Sequence, residues 1–463
     1  MALPTKTPPA AVGVPNGPHA GFVVAIASLG FFLITLDISI VNVALARIQT
    51  ELGGGTVGQQ WIIDGYTLMF AALLLFAGNL SDRIGAKRAL VLGVAVFAVT
   101  SAACAFAPSS TLLIAARFAQ GAGAAVILPA SMALVREAFP DPARRARALG
   151  VWAVGGAVAA LVGQPLGGLL TTYDWRWVFS INLPVCAAMI FFLGLVAMSP
   201  TRPAPFDWAG QVLAVVGLST LVYGLIDGGH LGFGTPPVVA ALAVALISLA
   251  GFVLVQTRVQ HPMMPLGLFR ARGFRLALPV GFTFMVGNYG NVFVVSLFLQ
   301  QELGLSPLHA GLVFLPSAFF AIAANLASGP ITNRFGARVP VVAGLSAMVL
   351  GLVAVLVTAP VGNPALVAIC IIPIGAGGAL AMPSVTGVVL EGVPGHQAGT
   401  ASAVFNTFRQ VGGAVAIAVF GALIADPDRV VAGMQLSLGI AAALLLLAAV
   451  SSVRIQPRAD TPT

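Results

Sequence analysis

The chain has 463 residues, of which 59% are hydrophobic and only 8% charged, and its mean hydropathy is +1.00. A membrane helix takes about 20 apolar residues, so this content fills roughly 14 spans, which excludes a soluble enzyme, a disordered chain and a nucleic-acid-binding domain. The net charge of +8 is therefore expected in cytoplasmic loops rather than against nucleic acid.

The chain opens with a Pro-, Gly- and Ala-rich stretch that lacks the basic and apolar regions of a signal peptide. Residues 1–21 read as a disordered cytoplasmic tail. Apolar runs then predict spans at 22–46, 58–80, 89–107, 111–137, 147–171, 178–198, 208–228, 237–256, 276–301, 308–329, 339–359, 364–391, 399–425 and 431–452. Residues 453–463 form a second cytoplasmic tail. The runs are continuous rather than alternating, which excludes a β-barrel. The fold class is all-α integral membrane protein, embedded in a lipid bilayer.

Charge supports the count. With the N-terminus inside, 17 of the 22 basic residues fall on the cytoplasmic side, three (Arg47, Arg176, Arg429) outside, and two (Arg117, Arg409) within spans. That is the positive-inside bias of a plasma-membrane protein with both termini cytoplasmic. Arg outnumbers Lys 20 to 2, which points to a GC-rich, bacterial genome. Cys104, Cys186 and Cys370 lie in separate runs without a CxxC, and the five histidines lack metal-ligand spacing. There is no Ser/His/Asp constellation and no phosphate loop. No enzymatic activity, metal or cofactor is expected, and a monomer is the default.

Internal repetition fixes the organisation. GNLSDRIGAK at 78–87 matches GPITNRFGAR at 329–338; GAGAAVILP at 121–129 matches GAGGALAMP at 375–383; VGGAVA occurs at 154–159 and 411–416. The offsets, 251, 254 and 257 residues, are ordered and nearly constant. Two six-helix halves, 22–198 and 276–452, therefore flank two inserted helices within 208–256. Repeated halves are the mark of alternating-access transporters, whose substrate site lies near the midplane between them.

Several motifs carry a resemblance. GNLSDRIGAKR (78–88), LIAARFAQGAGAA (113–125), LDISIVNVAL (36–45), WIIDGYTL (61–68), WRWVFSINLP (175–184) and HPMMPLGLF (261–269) are similar to signatures of the fourteen-span drug:proton antiporters of the major facilitator superfamily. The resemblance covers nearly all of 22–452. It implies export of drugs against protons, as in multidrug and antibiotic-resistance exporters. Such antiporters carry Gly-Pro before Gly-Gly late in span 5. Here the order is Gly163-Gln164-Pro165-Leu166-Gly167-Gly168, with the proline one place late.

Asp37 lies about 8 residues, roughly 12 Å, from the outer end of span 1. An ionisable group at that depth is a functional candidate. Arg117, about 6 residues or roughly 9 Å into span 4, shares the depth, and at the 254-residue offset the second half has Ile371 instead. The resemblance implies proton coupling for this arginine. An adjacent cation holds a carboxyl ionised, and separation lets it take a proton. Asp64, in the outer part of span 2, is a further member of the proton path or a contact for a cationic substrate.

The inner loop Gly78, Asp82, Arg83, Gly85, Lys87 and Arg88 is expected to gate. Resemblance gives Asp82 a latching role, and Asn333 replaces it in the second copy. Gly155, Gly156, Gly163, Gly167 and Gly168, with Pro165, let span 5 approach its neighbours and bend.

The cavity expected between the halves draws on Asn42, Trp61, Tyr66, Met69, Trp152, Phe284, Tyr289, Phe314, Met382, Phe405, Asn406 and Arg409. Aromatic and Met surfaces suit bulky hydrophobic substrates, and ring faces suit organic cations. The leading expectation is proton-driven export of hydrophobic or cationic drugs or toxic metabolites. A transporter for one specific metabolite, or a non-transport membrane protein, are the alternatives.

Overall fold

The computed structural model describes residues 18–201, 206–391, 393–394, 397–426 and 429–455. Most of the two expected tails, 1–17 and 456–463, lies outside the described residues. The first helix already begins at Pro18, so 18–21 are helical rather than tail. Proline suits a first helical position because its fixed φ is helical and its absent N–H would go unpaired there.

Fourteen helices are long and apolar enough to cross a membrane. They are α1 (Pro18–Leu52), then α2 (Gly55–Ile84), α3 (Ala86–Ala105), α4 (Ser110–Ala138), α5 (Arg147–Tyr173), α6 (Trp177–Gly194), α7 (Trp208–Leu231), α8 (Pro236–Arg258), α9 (Arg272–Glu302), α10 (Pro307–Phe335), α11 (Arg338–Val361), α12 (Pro364–Glu391), α13 (Ala398–Leu423) and α14 (Val430–Ser452). No strand occurs among the described residues. Helices satisfy their own backbone groups, which hydrocarbon cannot do. α10 and α12 each break for one residue, at Phe314 and Ile371. Pro316 and Pro373 follow closely, and each removes a ladder N–H.

The boundary difference from the sequence reading that bears on the site is in α1. Its apolar run stops near residue 46, yet the helix runs to Leu52 through Arg47, Gln49, Thr50 and Glu51. Helical hydrogen bonding does not require apolar side chains, and Arg47 Nε donates to Glu51 Oε1 across one turn at 3.0 Å. Asp37 is consequently about fifteen residues, roughly 22 Å, from the far end of α1. It lies mid-helix rather than in the outer third.

With an even number of crossings, both termini lie at one end of the bundle, here the terminal end; the opposite end is distal. In the first half α1 packs on α5 and α4 on α2 and α3; in the second, α9 packs on α13 and α11 and α10 on α12. The α7–α8 hairpin lies beside both halves, because α7 touches α2 and α13. Asp207 caps α7, accepting from Gly210 N at 2.8 Å and from Gln256 Nε2 of α8 at 2.6 Å. Gln256 in turn accepts from Met264 N, and Gln211 Nε2 donates to the Ala72 carbonyl of α2.

The two halves join distally. One apolar core runs through Ile40, Ile62 and Trp175 of the first half and Phe293, Phe298 and Ile417 of the second. The terminal part of the first half has a separate core around Leu33, Phe97 and Ile127. Among the described residues, each hydrogen bond between halves is distal: Gln60 Nε2 to the Ile417 and Ala418 carbonyls, Ser296 Oγ to the Asn42 carbonyl, and Gln301 to Gln49. This is a distally closed arrangement.

Candidate functional site

The deepest polar cluster is assembled by α1, α2, α3, α4 and α6. Arg117 Nη1 lies 2.5 Å from Asp37 Oδ2, and both side chains are essentially inaccessible. The guanidinium also donates through Nε to the Ile62 carbonyl at 2.9 Å and through Nη1 to Gln120 Oε1 at 2.7 Å. Its Cζ lies over the Tyr66 ring, 4.3 Å from the centroid. The second carboxylate oxygen of Asp37 accepts from Gln120 Nε2 at 3.0 Å and Asn182 Nδ2 at 2.9 Å. Ser101 Oγ accepts from Gln120 at 2.8 Å.

A buried ion pair is tolerable only when its remaining hydrogen-bonding capacity is met. Here it is met by neutral partners: Gln120 of α4 itself, the Ile62 carbonyl of α2 and Asn182 of α6. Gln120 and Asn182 lie inside the quoted motifs, and Gln120 follows Arg117 by one helical turn, which is the signal that could have singled it out.

Asp64 is not part of this cluster. It is fully buried, and neither carboxylate oxygen has a hydrogen-bond partner. It lies one turn from Gln60, the α2 side chain that reaches α13.

Back to back with the pair lies a cavity of about 50 Å³ between the halves. Ile38, Ser39 and Asn42 of α1, Ile63 of α2 and Gln164 of α5 line one side; Asn288, Tyr289 and Val292 of α9 and Ile417 of α13 line the other. One turn of α1 therefore presents Asp37 to the pair and Ile38 and Ser39 to the cavity. On α2 the Ile62 carbonyl holds Arg117 while Ile63 faces the cavity.

Of the residues expected to line it, Asn42 and Tyr289 do. The others sit elsewhere. Trp61 packs against Phe118 and Tyr223. Tyr66 lies under Arg117 inside the first half. Trp152 stacks on Phe31 at 4.3 Å and donates to Ser131. Phe284 meets Gly378 and Phe405 meets Gly281. Met69, Phe314, Met382, Asn406 and Arg409 are likewise absent from its wall. Size and hydrophobicity pick out aromatics, but the faces of crowded helices carry most of them into protein contacts.

The glycines expected to gate divide by what they touch. A Cβ at Gly155 would stand 2.3 Å from the Ser28 carbonyl, at Gly156 2.3 Å from the Phe31 ring, at Gly163 2.6 Å from Ser39, and at Gly167 2.6 Å from the Ile40 carbonyl. These four seat α5 on α1 within one half. At Gly168 it would stand 2.4 Å from the Pro307 carbonyl of the other half, and at Gly311 2.4 Å from the Gln164 carbonyl. Pro165 lies inside an unbroken helix.

At the terminal end, Gly85 and its repeat counterpart Gly336 both have positive φ, 88° and 77°, a conformation glycine adopts without strain. Lys87 Nζ donates to the Val196 carbonyl at 2.5 Å and its backbone N–H to Ser199 Oγ at 3.0 Å. Arg83 lies over the Phe206 ring at 4.9 Å. Asp82 and Arg88 are exposed and Gly78 has open space around it. Asp82 is an electrostatic neighbour of Arg136 on α4, whose Nη1 lies 3.1 Å from where a Cβ would stand at Gly399 of α13.

Comparison with known proteins decides the family. Residues 27–417 match the family model of the Major Facilitator Superfamily. The chain belongs to the major facilitator superfamily. The multidrug resistance protein Stp of Mycobacterium tuberculosis is 38% identical over 402 residues, covering 86% of this chain and 74% of Stp. The methylenomycin A resistance protein of Streptomyces coelicolor is 36% identical over 449 residues, covering 95% and 93%. A D-xylose–proton symporter shares the fold at a TM-score of 0.69 and 14% identity, covering 96% of this chain and all of its own. This facilitator-superfamily protein is thus a multi-pass membrane transporter, not an enzyme, and its curated relatives are multidrug and antibiotic-resistance proteins.

Within the superfamily fold the sequence places one further ionisable group in mid-membrane, Arg409 of α13. It donates from Nη1 to Asn406 Oδ1 at 3.1 Å, and its Nε has no partner.

Proposed function

We propose that the protein exports hydrophobic small molecules from the cytoplasm in exchange for protons. The terminal end faces the cytoplasm, and transport proceeds by alternating access at the cavity between the halves. The supporting observation is that the Asp37–Arg117 pair and the cavity share the same turns of α1 and α2. A proton on Asp37 cancels its attraction to Arg117 and turns one acceptor oxygen into a donor. The grip on Gln120 and Asn182 then changes, and α1 is free to shift against α4 and α6. Ile38, Ser39 and Asn42 move with it. Substrate in the cavity and a proton on Asp37 thus act on one mechanical element, which is the requirement for exchange. Asp64, with neither oxygen hydrogen-bonded, is the second proton candidate.

The names of the relatives point to resistance by export. The test is substrate-induced proton release from purified protein, paired with dye efflux in energised inverted vesicles. Asp37→Asn is expected to abolish uphill efflux and proton release while leaving downhill exchange. Wild-type pumping by Asp37→Asn would move the proton carrier to Asp64.

A further inference from the structure

We infer that Arg409 is the anchor for an anionic group on the substrate, so that the exported molecules include apolar bodies bearing a carboxylate or a comparable oxyanion. The inference rests on the exporter reading above and narrows its substrate class.

The two arginines within membrane spans are treated in opposite ways. Arg117 has a carboxylate, an amide oxygen and a backbone carbonyl as acceptors. Arg409 lies eleven residues into α13, near the middle of the membrane, and has one neutral acceptor, Asn406 Oδ1. Its Nε is buried without a partner. No ion pair joins it to any carboxylate among the described residues. The described acidic groups of the second half, Glu302, Glu391 and Asp426, stand at or beyond helix ends. A guanidinium in hydrocarbon costs several kcal/mol unless it is compensated. Rings flank it, with the centroids of Phe284 and Phe405 at 5.6 and 5.8 Å. They supply attraction to the cation but no hydrogen-bond acceptor in place of the missing one.

The fold does not demand a cation there. At the 257-residue offset the first half has Trp152, which stacks on Phe31 with its ring N–H bonded to Ser131. The second half has replaced an indole by a planar fork of donors, the geometry that takes carboxylate or phosphate oxygens in pairs.

The position also suits a ligand. Tyr289, which lines the cavity, donates its hydroxyl to Gln410, the next residue of α13, at 3.4 Å. A Cβ at Gly413, one turn further on, would meet the Tyr289 ring at 2.5 Å. Arg409 therefore lies beside Tyr289 and about two turns on the terminal side of Ile417, the α13 residue in the cavity wall. Its neighbours are apolar rings suited to the body of an amphiphile.

Three probes with one body and three charges test this: 2-naphthoate, its methyl ester, and trimethyl(2-naphthylmethyl)ammonium. Binding is measured on the purified full chain in nanodiscs, and proton flux in proteoliposomes under a pH gradient. The expected result is that 2-naphthoate binds at least about tenfold more tightly than the ester, the scale of one charge-assisted hydrogen bond. Arg409→Gln should erase that ratio without changing ester affinity, and Arg409→Lys should retain part of it. The inference is overturned if 2-naphthoate binds no better than the ester or the cation, or if Arg409→Gln leaves its advantage intact. If Arg409→Gln does not fold, the wild-type ratio and Arg409→Lys decide. Charge-selective binding without proton flux for any probe would support the anchor and sink the exporter reading instead.

Discussion

Gly168 is where a single methyl group should act on the conformational equilibrium. An added Cβ would lie 2.4 Å from the Pro307 carbonyl oxygen and 2.7 Å from Leu308 Cα. Comfortable contact begins near 3.5 Å, so α5 and α10 must separate by about 1 Å at this point. Overpacking of this kind costs about 1–3 kcal/mol. The cost falls only on the distally closed state, because the contact joins the two halves. Gly168→Ala should therefore shift the closed-to-open ratio by about 5- to 150-fold. Gly155 is the control. Its added Cβ would be equally tight, 2.3 Å from the Ser28 carbonyl, but α1 and α5 belong to one half. Gly155→Ala should lower thermal stability without moving that ratio. Spin labels at Tyr173 and Val361, both exposed at distal helix ends, would report the interhalf distance. An unchanged distance distribution in Gly168→Ala, or an equal shift in Gly155→Ala, would refute the division of these glycines.

Three further outcomes follow from the same geometry. Asp82→Asn should slow conformational switching while leaving drug affinity within twofold, since Asp82 acts through Arg136 at the terminal end; stopped-flow switching rates and equilibrium binding separate the two. Asn182→Ala should destabilise the protein by about 1–3 kcal/mol, because it removes one of the two donors to the buried Asp37 Oδ1, and it should weaken proton-coupled efflux more than downhill exchange. A reporter fused after Thr463 that works only outside the cytoplasm should be inactive, and activity there would contradict cytoplasmic termini.

The fold was legible because hydrocarbon admits few solutions. Twenty apolar residues in a row can do little but form a helix, and three matches at nearly constant offset leave little choice of architecture. Helix ends were less legible. At α1, Arg47 to Glu51 stay helical in a segment whose polarity suggests a loop. The Asp37–Arg117 pair was foreseeable because both are ionisable in an apolar context, yet Gln120 and Asn182 were not singled out. Neutral amides are not conspicuous in sequence; they matter here only because the tertiary packing of α1, α4 and α6 brings them to one carboxylate. The cavity was least legible. Its wall is made largely of Ile, Ser, Asn and Gln side chains, whereas Trp61, Tyr66 and Trp152 are turned into their own half. A helix offers every residue a direction, and one sequence does not state the rotation of each helix about its axis.

The two halves repeat in backbone and diverge in charge. Gly155 against the Ser28 carbonyl and Gly412 against the Phe282 carbonyl show equivalent packing of α5 on α1 and α13 on α9, at offsets of 257 and 254. By the second offset Asp37 corresponds to Asn291 and Arg117 to Ile371. The first half can therefore change its charge state at that site and the second cannot. By the first offset Trp152 corresponds to Arg409, so the second half alone carries a permanent cation without a carboxylate. A transporter that used both halves for both tasks would need like charges near one small cavity, with their mutual repulsion and a double desolvation cost. Dividing the tasks avoids this. On the proposed reading the Asp37–Arg117 pair of the first half handles the proton and the fixed cation of the second meets the substrate, and the α1–α9 contact between Ser296 and the Asn42 carbonyl lies where one half can sense the other.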